Sequence, residues 1–190
     1  MKPGLAILAA ILLLAACGGR TVAVPTASPT SHETTYVFAK TGFAVTYDPR
    51  VLKVEIDELG PKLGMHFSQV YFVSRLGPQR ADYFPTNSDR AEVTVSRVDP
   101  ATGPVATQLK EWVKLGRPFG STVNVRWHLT TLDGMPGVTF SVKLSGERFL
   151  SYFLYGHGYG IDIRVAARQS APAAVWPALE HLAQSIGTVP

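Results

Sequence analysis

Apolar and polar side chains alternate along most of the chain from Tyr36 onward. Phe43, Val45 and Tyr47 alternate with Ala44 and Thr46 before Asp48-Pro49 closes the run, the period-two pattern of a half-buried strand. Leu52, Val54 and Ile56 repeat it against Lys53 and Glu55. Further extended stretches are predicted over residues 65–73 and 92–98. Val123, Val125, Trp127 and Leu129 predict one strand face, opposite Asn124, Arg126, His128 and Thr130. Val138, Phe140, Val142 and Leu144 predict another. Residues 149–155 are apolar on both faces, as a central strand covered above and below would be, and Ile161, Ile163 and Val165 complete the set.

Two segments follow the helical period instead. Val105, Leu109, Trp112 and Val113 fall on one face, with Pro104 suited to a first turn and Gly116 to a stop. Val175, Leu179, Leu182, Ala183 and Ile186 do the same, with Ser170 predicted as N-cap and Gly187 as the residue after the C-cap. Few helices among many strands predict an α+β fold built on a twisted antiparallel β-sheet flanked by helices.

The N-terminus has a different pattern. Met1-Lys2-Pro3 is a short positive segment, and residues 4–13 are an apolar run too short to cross a bilayer as an ordinary helix. Leu14-Ala15-Ala16-Cys17 follows, and it resembles the lipobox of bacterial lipoproteins. The resemblance implies cleavage before Cys17 and a diacylglycerol group on its sulfur, so residues 1–16 are expected to be a signal peptide. No other cofactor is expected. Residues 17–35 are rich in Gly, Pro, Ser and Thr and read as the lipidated cysteine and a flexible tether. Residues 36–190 then make a single domain.

The order of parts in that domain resembles the PsbP-like superfamily, which includes lipoproteins of the LpqN kind. The likeness rests on the opening Gly42-Phe43-Ala44-Val45-Thr46-Tyr47-Asp48-Pro49, a mid-chain helix and a strand ending in Leu132-Asp133-Gly134. A hairpin of long strands and a closing helix with Ser185-Ile186 near its end complete it. It implies an α/β/α sandwich and no enzyme activity. Arg50-Val51 stands where the family often has an aromatic, and Ser-Ile where it usually ends in Ser-Phe. Only the fold carries over.

Composition narrows the function. With 46% hydrophobic and 17% charged residues the chain has enough apolar material for a proper core. The net charge of +4 includes Lys2 of the leader, and the basic residues are scattered, so no nucleic-acid partner is expected. Cys17 is the single cysteine, which excludes internal disulfides and a cysteine-based zinc site. None of His32, His66, His128, His157 and His181 pairs at a metal-binding spacing, and serine-nucleophile signatures are absent. His181 falls opposite the apolar stripe of the last helix and is predicted to be solvated.

Two candidate sites remain. The Ser74–Arg90 stretch is long for a loop and holds Arg75, Arg80, Tyr83 and Phe84, residue types that anchor interfaces. Gly156-His157-Gly158-Tyr159-Gly160 reads as a hairpin turn, and Tyr155, His157, Tyr159 and Asp162 near it form a candidate ligand corner. The reading that follows is a membrane-anchored extracytoplasmic lipoprotein, a non-catalytic binding or assembly module of the cell envelope. The membrane is its partner through the lipid, with an envelope protein, lipid or glycan as the second. Two alternatives stay open. One is an envelope hydrolase or transferase whose site is assembled from distant residues, with His157 or His128 beside Asp162. The other is a carrier holding a lipid or small apolar ligand between sheet and helix.

Overall fold

The computed structural model describes residues 32–56, 67–77, 89–98, 105–115, 117–119 and 123–189. Its frame is a seven-stranded antiparallel sheet in the order β3-β4-β5-β11-β10-β9-β8. The strands are β3 (Leu52–Ile56), β4 (Phe67–Ser74), β5 (Arg90–Arg97), β8 (His128–Leu132), β9 (Met135–Leu144), β10 (Glu147–Gly156) and β11 (Tyr159–Arg168). A smaller sheet, β1-β2-β12, joins β1 (Thr34–Val37), β2 (Phe43–Tyr47) and β12 (Gly187–Thr188). β6 (Arg117–Phe119) and β7 (Val123–Val125) form a separate hairpin. Helix α1 spans Val105–Leu115 and helix α2 spans Val175–Gln184. The fold class is therefore α+β, as the alternation predicts.

Period-two alternation divides the large sheet into two faces. Leu150, Tyr152 and Leu154 of β10 share one face with Ile161, Ile163 and Val165 of β11, their cross-strand partners. These join Val93, Val95, Val70 and Phe72 in one buried core with Val175, Leu179, Leu182 and Ile186 of α2 and its end. Phe38, Phe43 and Val45 of the small sheet close the same core. Between the large sheet and α2 the space is taken by these side chains, many at zero exposure, so that layer leaves no room for apolar cargo. The other face of β10 presents Phe149, Ser151, Phe153 and Tyr155. Helix α1 packs on this side against β8 and β9, and the Tyr155 hydroxyl donates to Oε1 of its Gln108 at 3.4 Å. Opposite faces thus carry the two helices of the described residues.

Several local expectations change. Helix α2 begins at Val175 with Ala174 at the N-cap position and no side-chain cap, so Ser170 does not cap it. Pro172 disfavours helical angles at Ala171, and the chain turns there until the Val175 N–H reaches the Pro172 carbonyl at 2.9 Å. Gly187 is not a helix stop: it pairs with Ala44 in the small sheet, and the C-cap is Ser185. The strand predicted through Val123, Val125, Trp127 and Leu129 breaks at Arg126-Trp127. β7 pairs with β6, while β8 forms the edge of the large sheet, where Leu129 is 60% exposed. His181 is half-buried, with Nε2 at 3.1 Å from Oε1 of Glu33. β1 begins at Thr34, inside the segment expected as tether.

Candidate functional site

Away from α1, the α1 side of the sheet carries a grid of polar side chains on three adjacent strands. In one row Gln69 of β4 faces Thr94 of β5, which faces Asp162 of β11. In the next, Tyr71 faces Glu92, which faces Arg164. Arg90 stands one step further along β5, opposite Val73 and Ala166. The rows lie on one face because each strand alternates: the intervening Val70, Ala91, Val93, Ile161 and Ile163 are all core residues.

Two contacts fix the grid. Gln69 Nε2 donates to Glu92 Oε1 at 2.5 Å, and Arg164 Nη2 donates to Asp162 Oδ2 at 2.5 Å. Burial pushes the Asp162 carboxyl above its usual range against the pull of Arg164, and Glu92 adds to the rise. The Tyr71 phenol is also pushed up, first by burial and then by Glu92. Burial works against the charge on Arg164, but Asp162, Glu92 and Tyr71 outweigh it and hold the guanidinium firmly protonated. Asp162 and Arg164 are unequally covered, with side chains 21% and 65% exposed. The grid is covered at its base and wet at its tip.

The ligand corner does not form as one site. His157 and Gly158 both take positive φ, 53° and 82°, as the two central residues of a tight hairpin turn. Alternation beyond the turn sends Tyr159 to the α2 face, where its ring and that of His157 lie 5.8 and 6.0 Å from the ring of Phe43. Tyr155 and Asp162 lie on the α1 side, Tyr155 against Gln108 and Asp162 opposite Phe153. The sheet separates the two pairs. His128 is exposed on edge strand β8, four strands from β5 in the sheet order, so it does not approach the grid along that row.

Of the loop candidates, Arg75 is exposed and held at its backbone and side chain. Its N–H reaches the Val51 carbonyl at 2.7 Å, and its Nε the Leu52 carbonyl at 3.3 Å. Arg80, Tyr83 and Phe84 lie outside the described residues, as do Cys17 and the leader. The two ends of the loop meet. Ser74 N–H donates to the Asp89 carbonyl at 2.9 Å, and the Asp89 carboxylate receives the Arg168 N–H, Nε and Nη2 at 2.7, 3.2 and 2.8 Å. Among the described residues no group of three or more His, Cys, Asp or Glu side chains is placed to hold a metal ion.

Comparison with known proteins gives likeness of fold only. No family model and no curated protein matches the chain. It is similar to the solution structure of cyanobacterial PsbP (CyanoP) from Synechocystis sp. PCC 6803, at 13% identity and a TM-score of 0.49. That match covers 86% of this chain and 96% of the other. It is also similar to a crystal structure from Bacteroides thetaiotaomicron VPI-5482, at 11% identity and a TM-score of 0.44, over 84% of this chain and 48% of that one.

Of the grid, Asp162 is among the candidate residues that the sequence singles out, and Gln69, Tyr71, Glu92 and Arg164 are not. The signal is present as polar residues two apart: Gln69 and Tyr71, Glu92 and Thr94, and Asp162 and Arg164. Only the adjacency of β5 and β11, which are far apart in sequence, brings those positions together.

Proposed function

We propose that the chain is a lipid-anchored extracytoplasmic module that binds or assembles other components of the cell envelope, without catalysis of its own. The observation that carries this reading is the polar grid itself: recognition groups on three adjacent strands, held by their own contacts on a rigid sheet. Preorganised side chains on a scaffold suit binding, because little ordering cost remains at the moment of association. The Leu-Ala-Ala-Cys sequence supplies the anchor, since two acyl chains on Cys17 are enough for stable attachment. No helix among the described residues is long and apolar enough to cross a membrane, so in this reading the lipid is what holds the domain at the surface.

Labelling of cells with a radioactive or clickable palmitate analogue, followed by cross-linking and purification, tests the reading. Label on the intact chain and none on Cys17→Ala, with the same partners captured only by the intact chain, is the expected result. Unlabelled protein released to the medium would remove the anchor. Turnover of an envelope substrate that depends on one polar residue of the grid would replace binding with catalysis.

A further inference from the structure

We propose that the grid of Gln69, Tyr71, Glu92, Asp162 and Arg164, with Arg90 at its margin, binds a neutral polyhydroxylated ligand, an uncharged envelope glycan. The proposal rests on the binding-module reading above and names the ligand class for it.

Charge is the first argument. Glu92 and Asp162 stand against Arg90 and Arg164 on the same face of β5 and β11, so the formal charges of the grid cancel. A phosphate, a nucleic acid or an acidic polymer would meet two carboxylates, and a cation would meet two guanidinium groups. A hydroxyl group suits the arrangement, because it can donate to a carboxylate and accept from a guanidinium or an amide at once. Glu92 and Arg164 are direct cross-strand partners, which sets an acceptor beside a donor fork for adjacent hydroxyls.

Shape is the second argument. The grid lies on a sheet and ends in flat groups: a carboxylate, an amide, a guanidinium and the Tyr71 ring. Tyr71 offers an aromatic face for the C–H side of a sugar ring and a phenol for its hydroxyls. Phe153 faces Asp162 across β10 and β11, and a Cβ built at Gly160 would lie 3.8 Å from the tip of its ring, so a second aromatic group borders the grid. Such a surface matches an extended polymer better than an enclosed small molecule. A protein partner fits it poorly, because the centres of protein interfaces are depleted of charge, whereas the middle of this surface is Glu92 and Arg164.

The test uses the full-length chain, lipidated and in detergent, titrated calorimetrically with neutral hexasaccharides of β-1,4-glucose, α-1,4-glucose and α-1,6-mannose. Arg164→Ala removes an exposed side chain and Glu92→Gln keeps its volume. Thermal melting confirms that both remain folded, and Lys110→Ala on exposed α1 surface serves as control. We expect at least one hexasaccharide to bind, roughly tenfold or more weakly in each grid variant, as loss of a hydrogen bond to a charged group entails. Lys110→Ala should leave affinity unchanged, and added salt should change it little because the ligand is uncharged. No binding by any of the three, or binding unaffected in both folded grid variants, would overturn the proposal. If the sugars fail while cross-linking still captures partners lost in Cys17→Ala, the glycan assignment falls and the anchored-module reading stands.

Discussion

Ser185 stands where the ladder of the small sheet would place it opposite Thr46, and its side chain takes over the bonding that its backbone gives to helix α2. β12 pairs with β2 only at Gly187↔Ala44 and Thr188↔Phe43, and two residues further the same register reaches Ser185 and Thr46. There the Ser185 N–H is committed to the His181 carbonyl at 2.9 Å, so a strand bond to Thr46 is unavailable. The hydroxyl substitutes for it. Oγ accepts the Thr46 N–H at 2.8 Å, with the Thr46 and Leu182 carbonyls at 3.1 and 2.8 Å, to one of which it donates. Ser185→Ala leaves the Thr46 N–H without this partner and should lower stability by about 1–2 kcal/mol. Urea unfolding monitored by far-UV circular dichroism checks it, and Ser185→Thr, which keeps the hydroxyl, should recover part of the loss.

Gly137 is required by a close approach. It pairs with Leu154 across β9 and β10, and a Cβ built there overlaps the Phe153 carbonyl oxygen and comes within 2.6 Å of Leu154 Cδ2. The carbonyl is backbone in the middle of the sheet and has no rotamer by which to move aside. Gly137→Ala should therefore cost about 3 kcal/mol, at the upper end of ordinary overpacking. The midpoint of denaturant unfolding measures it, and an unchanged midpoint would show that the two strands can separate locally at low cost.

These two residues illustrate what the sequence discloses. Alternation in β2, β3, β9 and β11 and the helical stripe of α2 are visible because each is a local repeat read against one face. Helix ends were harder. Ser170 has the right side chain for an N-cap, but Pro172 decides where helix can begin; Gly187 is the residue type that suits a stop, but it pairs with Ala44 in a strand and does not take the positive φ a stop needs. The ligand corner failed through the same period that revealed the strands. A two-residue turn at His157-Gly158 puts Tyr155 and Tyr159 on opposite faces, a relation that proximity in sequence conceals. The grid is invisible for the converse reason, since β11 lies beside β5 in the sheet although the two strands are far apart in sequence.

Asp89 joins the ends of the Ser74–Arg90 stretch to the end of β11. Its carboxylate is 1% exposed and accepts the backbone N–H and two guanidinium nitrogens of Arg168, while its carbonyl accepts the Ser74 N–H. Removing the carboxylate would strand a half-buried cation and an unpaired N–H. Asp89→Ala should destabilise by about 3 kcal/mol, the lower part of the range for broken buried pairs, because Arg168 keeps some access to water. Arg168→Lys preserves charge but loses the fork, and should cost less than Asp89→Ala. In a double-mutant cycle on unfolding free energies, Asp89→Ala and Arg168→Ala together should destabilise by less than the sum of the two single changes.

The two aspartates with displaced ionisation should oppose each other in acid. Arg50 hydrogen-bonds the Asp48 carboxylate and lowers its pKa to about 2, so any stability it gives is present above the unfolded value of 3.8 and is lost as pH falls toward 2. Asp162 has the reverse sign. Burial raises its pKa above 3.8, so between that value and its folded value the native state holds the proton more tightly than the unfolded chain. Stability contributed by Asp162 therefore declines as pH rises through that window, and at neutral pH the charged carboxylate is a net burden relative to acid. Asp162→Asn removes this titration while keeping size and an acceptor for Arg164. Denaturant unfolding of the intact and Asp162→Asn chains at intervals from pH 3 to pH 8 (about that range spans the carboxylates) should give a difference that shifts in favour of the variant as pH rises. A difference that moves the other way would mean that Arg164 stabilises the Asp162 charge by more than burial opposes it.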